Sequence, residues 1–229
     1  MEREKCREKV WQAYRGVGQF AAAYDGMMAN SSLLGRLAMR WVWGISDEGY
    51  RRFLRQAFAG ISKGFAGRML EIPVGTGVLS LPVYRSLPQA DILCMDYSET
   101  MLAAARQRAD GMGLANVSFL QGDVGQLPFP EGQFDLVLSL NGFHVFPDKP
   151  RAYLETRRVL KGGGIFCGCM YVRGESRGRD FFVQNFCERK GYFSPPYETK
   201  ESLEKRLREG YEEVSISLVG SFAGFVCKK

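Results

Sequence analysis

The glycine turn Gly75-Thr76-Gly77 and the acidic residue Asp96 have the residue types and spacing to bind a nucleoside. The turn comes directly after the apolar run 68–72, and glycine lets the backbone approach a ligand closely. Asp96 follows the second apolar run, about 20 residues after the turn, where a carboxylate can accept hydrogen bonds from both hydroxyls of a ribose. The two segments together predict a pocket for a ribose-containing ligand.

A third polar segment, Gly122-Asp123-Val124, follows the apolar run 117–120. Asp123 can accept a hydrogen bond from the exocyclic amine of adenine, and the N–H of Val124 can meet a ring nitrogen. In chain order the three segments offer a glycine turn, a ribose acid and an adenine acid. Their joint occurrence predicts an adenosyl-binding site.

Apolar runs alternate with helical patterns from residue 68 onward, and this rhythm predicts a parallel, doubly wound sheet. Helices are predicted from Met101 to Ala109 and from Asp148 to the glycines at 162–164, which are typical of a helix end. The runs 213–219 and 221–227 have so short a connection that they must be antiparallel. The chain is therefore predicted to be an α/β protein, a three-layer Rossmann-like sandwich with a seven-stranded, mostly parallel sheet and a reversed C-terminal β-hairpin. The other predicted strands are 68–72, 91–95, 117–120, 134–139 and 165–172.

Two parts of the chain are not needed to complete this sheet. Residues 1–65 read as helices, one from Glu4 to Tyr24 and another capped by Asp47, and are predicted to form an N-terminal lid. Residues 66–229 are predicted to form the core, and the insertion at about 173–210 is predicted to cover the substrate. Aromatic residues of these two parts indicate either an apolar or aromatic small molecule or simple packing of the lid: Trp41, Trp43, Phe181, Phe182, Phe186, Tyr192 and Phe193.

Composition favours an ordinary globular protein, with 45% hydrophobic and 24% charged residues among 229. No apolar run approaches the roughly 18 residues that a membrane span needs, and no secretory signal is evident, so we expect a cytoplasmic protein. The net charge of +6 could favour an anionic partner, but the charges are dispersed, which favours a solvated surface over a nucleic-acid stripe. The six scattered cysteines and the single histidine, His144, do not make a zinc set; we predict free thiols and no metal.

These motifs resemble those of class I S-adenosylmethionine-dependent methyltransferases, most closely the UbiE-like branch of quinone methyltransferases that is called type 11. The resemblance spans residues 68–172 and rests on the segments 71–77 (EIPVGTG), 95–98 (MDYS), 122–123 (GD), 127–130 (LPFP), 134–137 (FDLV) and 158–164 (RVLKGGG), with an N-terminal Tyr24-Asp25. It implies a soluble enzyme with S-adenosyl-L-methionine as cofactor, S-adenosyl-L-homocysteine as product, and a small-molecule methyl acceptor.

The resemblance also assigns roles to individual residues. Glu71, Gly75, Thr76 and Gly77 are expected to hold the methionine moiety, Asp96 the ribose, Tyr97 and Met101 the nucleoside, and Gly122, Asp123 and Val124 the adenine. Leu140 and Asn141 are expected near the sulfonium, and Tyr24 is expected to close over the cofactor.

Pro73 departs from the family pattern, because it stands where the first glycine of the motif is usual. Proline lacks a backbone donor, which puts in doubt a contact from residue 73 but not the loop of Gly75 and Gly77. His144 follows the fourth strand and has two interpretations, a base for the acceptor or a packed residue between aromatics. No catalytic residue is assigned.

Three alternatives remain open at this point. A nicotinamide-dependent oxidoreductase would need glycine at position 80, where Ser80 stands, and has no use for Asp123. A non-catalytic adenosyl-binding module would be consistent with Pro73, and an RNA methyltransferase with the net charge. The acceptor, its reacting atom and the oligomeric state, monomer or homodimer, stay open.

Overall fold

The computed structural model of the protein describes residues 8–9, 13, 25–26 and 40–229. Most of the predicted lid, including most of the helix expected from Glu4 to Tyr24, lies outside these residues. Within the described ranges, no helix is long and apolar enough to cross a membrane.

A single seven-stranded sheet runs through the described chain in the order β3-β2-β1-β4-β5-β7-β6. Strands β1 to β5 are parallel to one another, and β7 is antiparallel to both β5 and β6. This confirms the predicted α/β class, the strand number and the reversed C-terminal hairpin. The strands are β1 (Arg68–Glu71), β2 (Asp91–Asp96), β3 (Val117–Gln121), β4 (Phe134–Leu140), β5 (Leu160–Tyr171), β6 (Glu213–Val219) and β7 (Phe222–Lys228).

Helices cover both faces of the sheet. The helices are α1 (Asp47–Ala57), α2 (Leu81–Tyr84), α3 (Glu99–Met112), α4 (Lys149–Val159), α5 (Arg177–Phe182), α6 (Glu188–Lys190) and α7 (Lys200–Arg208), with a π-helical turn, Val183–Cys187, between α5 and α6. Successive strand residues point to opposite faces, so Met69 joins the core under α1, α2 and α3, while Leu70 joins the core under α4 and α7. The result is the predicted three-layer sandwich.

Two local predictions were wrong. Ser46, not Asp47, caps α1, because its side chain accepts the N–H of Gly49 while Asp47 is already the first helical residue. The glycines at 162–164 do not end α4, which ends at Val159; they lie inside β5. Pairing with Lys229 holds these glycines in the strand, since the N–H of Gly163 donates to the carbonyl of Lys229 at 2.6 Å.

The five cysteines of the described residues are free and buried, as predicted: Cys94, Cys167, Cys169, Cys187 and Cys227.

Candidate adenosyl site

A cleft opens at the carboxyl ends of the first four strands, where the strand order reverses. β1 pairs with β2 on one side and with β4 on the other, so the chain crosses the sheet in opposite directions from this point. Open α/β sheets bind ligands at such a switch point. The cleft is lined by Glu71, Ile72, Pro73, Val74, Gly75, Thr76, Gly77, Val78, Leu79, Ser80, Asp96, Tyr97, Ser98, Gly122, Asp123, Val124, Leu140, Asn141, Val145, Phe146 and Pro147.

Most of the residues that the sequence singled out meet in this one cleft. Eleven of the thirteen line it, the two others being Tyr24 and Met101. Tyr24 lies outside the described residues. Met101 is buried in the first turn of α3, where its N–H donates to the Ser98 hydroxyl, and it is not among the lining residues. Its predicted contact with the nucleoside therefore has no support from the cleft geometry.

The glycine loop between β1 and α2 has a backbone that only glycine adopts readily. Gly75 and Gly77 have φ values of +56° and +68°, in the left-handed region. A Cβ on Gly77 would lie 2.5 Å from Leu81, whereas one on Gly75 would meet nothing within 4 Å. Gly77 thus lets the loop pack closely on α2, and Gly75 leaves open space at the loop surface.

Asp96 connects this loop to the end of β2. Its Oδ2 accepts the N–H of Gly75 at 2.8 Å, and its Oδ1 accepts the N–H of Ser98 at 2.9 Å. Burial raises the pKa of the Asp96 carboxyl to about 6, although the backbone donors favour its charged form. Each carboxylate oxygen has further acceptor capacity, so the side chain can still bind a pair of hydroxyls.

Glu71 lies below the loop rather than on its surface. The side chain is fully buried, and its Oε2 accepts the Tyr84 hydroxyl at 2.7 Å and faces the Cys94 thiol at 3.6 Å. Burial raises the pKa of Glu71 to about 8, with the nearby Asp96 charge contributing less. In the unliganded protein at neutral pH, Glu71 therefore holds a proton.

The third strand contributes a compact turn. The N–H of Gly122 donates to the Asp96 carbonyl at 3.0 Å, and Asp123 Oδ1 accepts the N–H of Gly125 at 2.8 Å. A Cβ on Gly122 would overlap the end of the Met95 side chain. Glycine at this position lets the β3 end approach β2, so that Asp123 and Asp96 lie on the same cleft.

Asn141 follows β4 in a left-handed backbone conformation, which is uncommon for residues other than glycine. Its φ is +56°, and it is the only non-glycine residue with positive φ among the described residues. Its N–H donates to the Cys169 carbonyl at 2.9 Å, and its Oδ1 faces the Cys169 thiol at 3.6 Å. Strained backbone of this kind is common at binding sites.

Pro73 does not disrupt the loop. It follows a cis peptide bond with Ile72 and lines the cleft. The neighbouring donors are all used, since the N–H of Val74 donates to the Met95 carbonyl at 2.8 Å and that of Gly75 to Asp96. The donor that proline lacks is thus not one on which the loop depends.

Comparison with known proteins agrees with this geometry. The sequence model of a family described as a methyltransferase domain matches residues 69–164, which contain β1 to β4 and the cleft. The matched segment is therefore similar to a methyltransferase domain. A demethylmenaquinone methyltransferase of Thermus thermophilus is 42% identical over 97 residues, 42% of this chain and 44% of that protein. The ubiquinone/menaquinone biosynthesis C-methyltransferase UbiE of Azotobacter vinelandii is 34% identical, over 71% of this chain and 58% of that protein.

The methyltransferase fold extends beyond the matched segment. A crystal structure from Thermotoga maritima, described as a methyltransferase and possible histamine N-methyltransferase, has a TM-score of 0.66. It covers 96% of this chain and 99% of its own at 22% identity, a level that speaks for the fold alone. The chain spans about half the length of the two curated relatives named above.

His144 is not among the cleft-lining residues. Its Nδ1 accepts the N–H of Tyr171 at 3.1 Å, and its ring packs 4.1 Å from that of Phe193. Burial, with the Lys149 charge as a smaller cause, lowers the pKa of His144 to about 3. The packed interpretation of this residue fits the structure, because the ring is neutral, and Nδ1 is already used.

The aromatics of the predicted substrate cover pack on one another and on neighbouring rings of the core. Trp43 stacks on Phe193 at 6.0 Å and meets Phe182 edge-on at 6.1 Å, while Phe182 stacks on Phe186 at 5.2 Å. Trp41 and Phe181 are exposed. None of the seven cover aromatics lines the described cleft, where the aromatic residues are Tyr97 and Phe146.

Some residues of the site gave no signal in the sequence. Tyr84 holds Glu71 but belongs to no recognisable spacing, whereas Ser98, which holds Asp96, lies in the 95–98 segment of the resemblance. The segment 145–147 forms an apolar wall of the cleft. Its place directly after β4 could have identified it, since the preceding residues Leu140 and Asn141 were predicted to face the ligand.

Proposed function

We propose that this chain transfers a methyl group from S-adenosyl-L-methionine to a small, apolar or aromatic acceptor. The observation that carries the proposal is the meeting of Gly75, Asp96 and Asp123, from the ends of three neighbouring strands, at one cleft. An adenosyl group needs a close backbone approach, an acceptor pair for the ribose diol and a polar partner for adenine. These three groups match those needs in type and order.

The residues present fit the cofactor. In the proposal Asp96 holds the ribose, and Gly122, Asp123 and Val124 hold the adenine. The open space at Gly75 admits the methionine moiety. Thr76 and Gly77 also line the cleft and would contact the same moiety. Tyr97 would lie beside the nucleoside, and Leu140 and Asn141 would lie near the sulfur.

Glu71 has an indirect role in this proposal. It is fully buried and bonded to Tyr84, so it supports the glycine loop from below. A ligand ammonium above the loop would favour its charged form and draw out the proton that burial holds there. Binding at neutral pH would then release a proton.

When bound, the cofactor supplies a methyl group on a sulfonium, which is already a good leaving group. The chain has to align the acceptor with that methyl group and keep water away. The wall formed by Val145, Phe146 and Pro147 serves this purpose because it adds no charged group to the cleft. We assign no protein base.

The acceptor class rests on two observations. The cleft wall beyond β4 is apolar, with Val145 and Phe146 among its residues. Curated relatives have names that refer to menaquinone, ubiquinone and a phytyl hydroquinone. A hydroquinone or phenol fits both observations.

The first experiment is calorimetry with S-adenosylhomocysteine and, separately, NADH. We expect micromolar or tighter binding of the former and none of the latter; binding of NADH alone would refute the proposal. Transfer of labelled methyl from the cofactor is then measured with a panel of hydroquinones and phenols, and with RNA. Labelling of RNA alone, with tight salt-sensitive binding, would assign the acceptor to the nucleic-acid class instead.

A further inference from the structure

Asp25 and Arg108 lie outside the predicted site but hold the apex of its glycine loop. The Thr76 hydroxyl donates to Asp25 Oδ1. Arg108 donates through one nitrogen to Asp25 Oδ2 and through another to the Thr76 carbonyl. The hydroxyl and the carbonyl of Thr76 are therefore both bound by Asp25 and Arg108, and we call these two residues the clasp.

The clasp differs from an ordinary surface ion pair. The side chains of Asp25 and Arg108 are 14% and 29% exposed, whereas the Arg106–Glu99 pair on the same helix is 40% and 55% exposed. Exposed pairs contribute little because water screens them. A partly buried pair with three hydrogen bonds is more directional, since its guanidinium meets a carboxylate and a carbonyl together.

The position of the clasp connects three distant parts of the chain. Arg108 lies on α3, the helix that follows Asp96, and Thr76 lies in the loop that Asp96 also bonds through Gly75. Asp25 belongs to the N-terminal segment, one residue after Tyr24. The clasp therefore brings Asp25 to the wall of the cleft.

We propose that Asp25 and Arg108 are positioning residues for the adenosyl ligand, which hold the glycine loop in the shape that the ligand needs. The inference rests on the proposed function. A ligand that needs the clasped loop binds more tightly when the clasp is formed, and by linkage its binding strengthens the clasp. Neither residue touches the ligand in this account; both act through Thr76.

The test uses the full chain and calorimetry with S-adenosylhomocysteine. Asp25→Asn and Arg108→Gln are each expected to raise Kd about tenfold, within the usual range of coupling between sites. The double variant should be no more than about twofold weaker than either single variant, because residues that act as one unit are not additive. Arg108→Lys should recover much of the affinity. Arg106→Gln, on the same helix, is the matched control and should bind like the wild type.

A second readout separates positioning from a general loss of structure. Hydrogen exchange over the glycine loop, residues 74–80, should slow on ligand binding in the wild type and much less in Arg108→Gln, while the melting temperatures of the two proteins without ligand stay close. Wild-type affinity in both single variants, or losses that multiply in the double variant, would refute the positioning role of the clasp and leave the proposed function intact. Failure of the wild type itself to bind the ligand would instead refute the proposed function on which the clasp depends.

Discussion

Asp96 Oδ2 accepts the backbone N–H of Gly75 at 2.8 Å, so one carboxylate joins the end of β2 to the loop that follows β1. The same side chain faces the cleft. Asp96 thus orients the loop and remains available to a ligand, and changes at this residue should alter binding more than folding.

Asp96→Asn should weaken S-adenosylhomocysteine binding at least about tenfold. In the wild type two carboxylate oxygens accept from two backbone N–H groups and the ribose hydroxyls, whereas the amide of asparagine has only one acceptor oxygen. Calorimetry measures the change. Asp91→Asn is the matched control, since Asp91 lies at the opposite end of the same strand and is exposed. Equal affinity in wild type and Asp96→Asn would remove Asp96 from the site.

The affinity for S-adenosylhomocysteine should also depend on pH. The pKa of Asp96 is raised to about 6, and the hydroxyls of a ribose are donors that favour the carboxylate. Affinity is therefore expected to be high above pH 6 and to fall, by up to about tenfold per unit, as the pH drops below it. In Asp96→Asn this fall should disappear. A pH profile shared by wild type and variant would contradict the assignment.

Glu71→Gln should fold, and its free energy of unfolding relative to the wild type should rise with pH. The pKa of Glu71 is raised to about 8 in the folded protein, above its ordinary 4.5, so the folded state holds a proton that the unfolded state releases. Its contribution to stability is thus present at low pH and is lost as the pH rises through 8. The free energy of unfolding of the variant, relative to that of the wild type, should increase by on the order of 3 kcal/mol between pH 5 and 8.

Denaturant unfolding of both proteins at the two pH values measures this gain. Glu71→Ala is the informative comparison, because it leaves the Tyr84 hydroxyl without its acceptor and should be destabilised at both pH values. A constant difference between Glu71→Gln and wild type across this range would show that Glu71 is ionised in the fold.

We expect His144 to matter for stability rather than for turnover. The asparagine Oδ1 can replace Nδ1 as acceptor for the Tyr171 N–H, while His144→Leu leaves that N–H unpaired at a cost of about 1–3 kcal/mol. Once an acceptor substrate is identified, we expect kcat of His144→Asn within about threefold of wild type, well below the effect of losing a general base. A loss of 100-fold or more, with ligand binding intact, would assign His144 to catalysis.

Gly168→Ala should destabilise the sheet at its centre. Gly168 has a φ of +149° and pairs with Ser139, and an added Cβ would overlap the Ser139 backbone. Backbone cannot move aside as a side-chain end can, so we expect a loss of at least about 3 kcal/mol in unfolding free energy. Gly162→Ala, in the same strand with open space around it, should change stability by less than about 1 kcal/mol.

The sequence by itself determined the class of the fold and the content of the cleft. Apolar runs buried on both faces, such as β4, read as strands, and the length of each connection decided whether neighbouring strands run parallel or antiparallel. Because parallel strands bring their carboxyl ends to one edge, the loops at Gly75, Asp96 and Asp123 could be expected to meet there.

Only the tertiary structure decided those local features that depend on contacts between residues far apart in the chain. The glycines at 162–164 lie in β5 because Lys229 pairs with them, and burial between α2 and β2 raises the pKa of Glu71. His144 packs away from the cleft lining because β5 supplies the donor for its Nδ1. Each outcome is set by residues far apart in the chain, whose approach depends on packing rather than on local pattern.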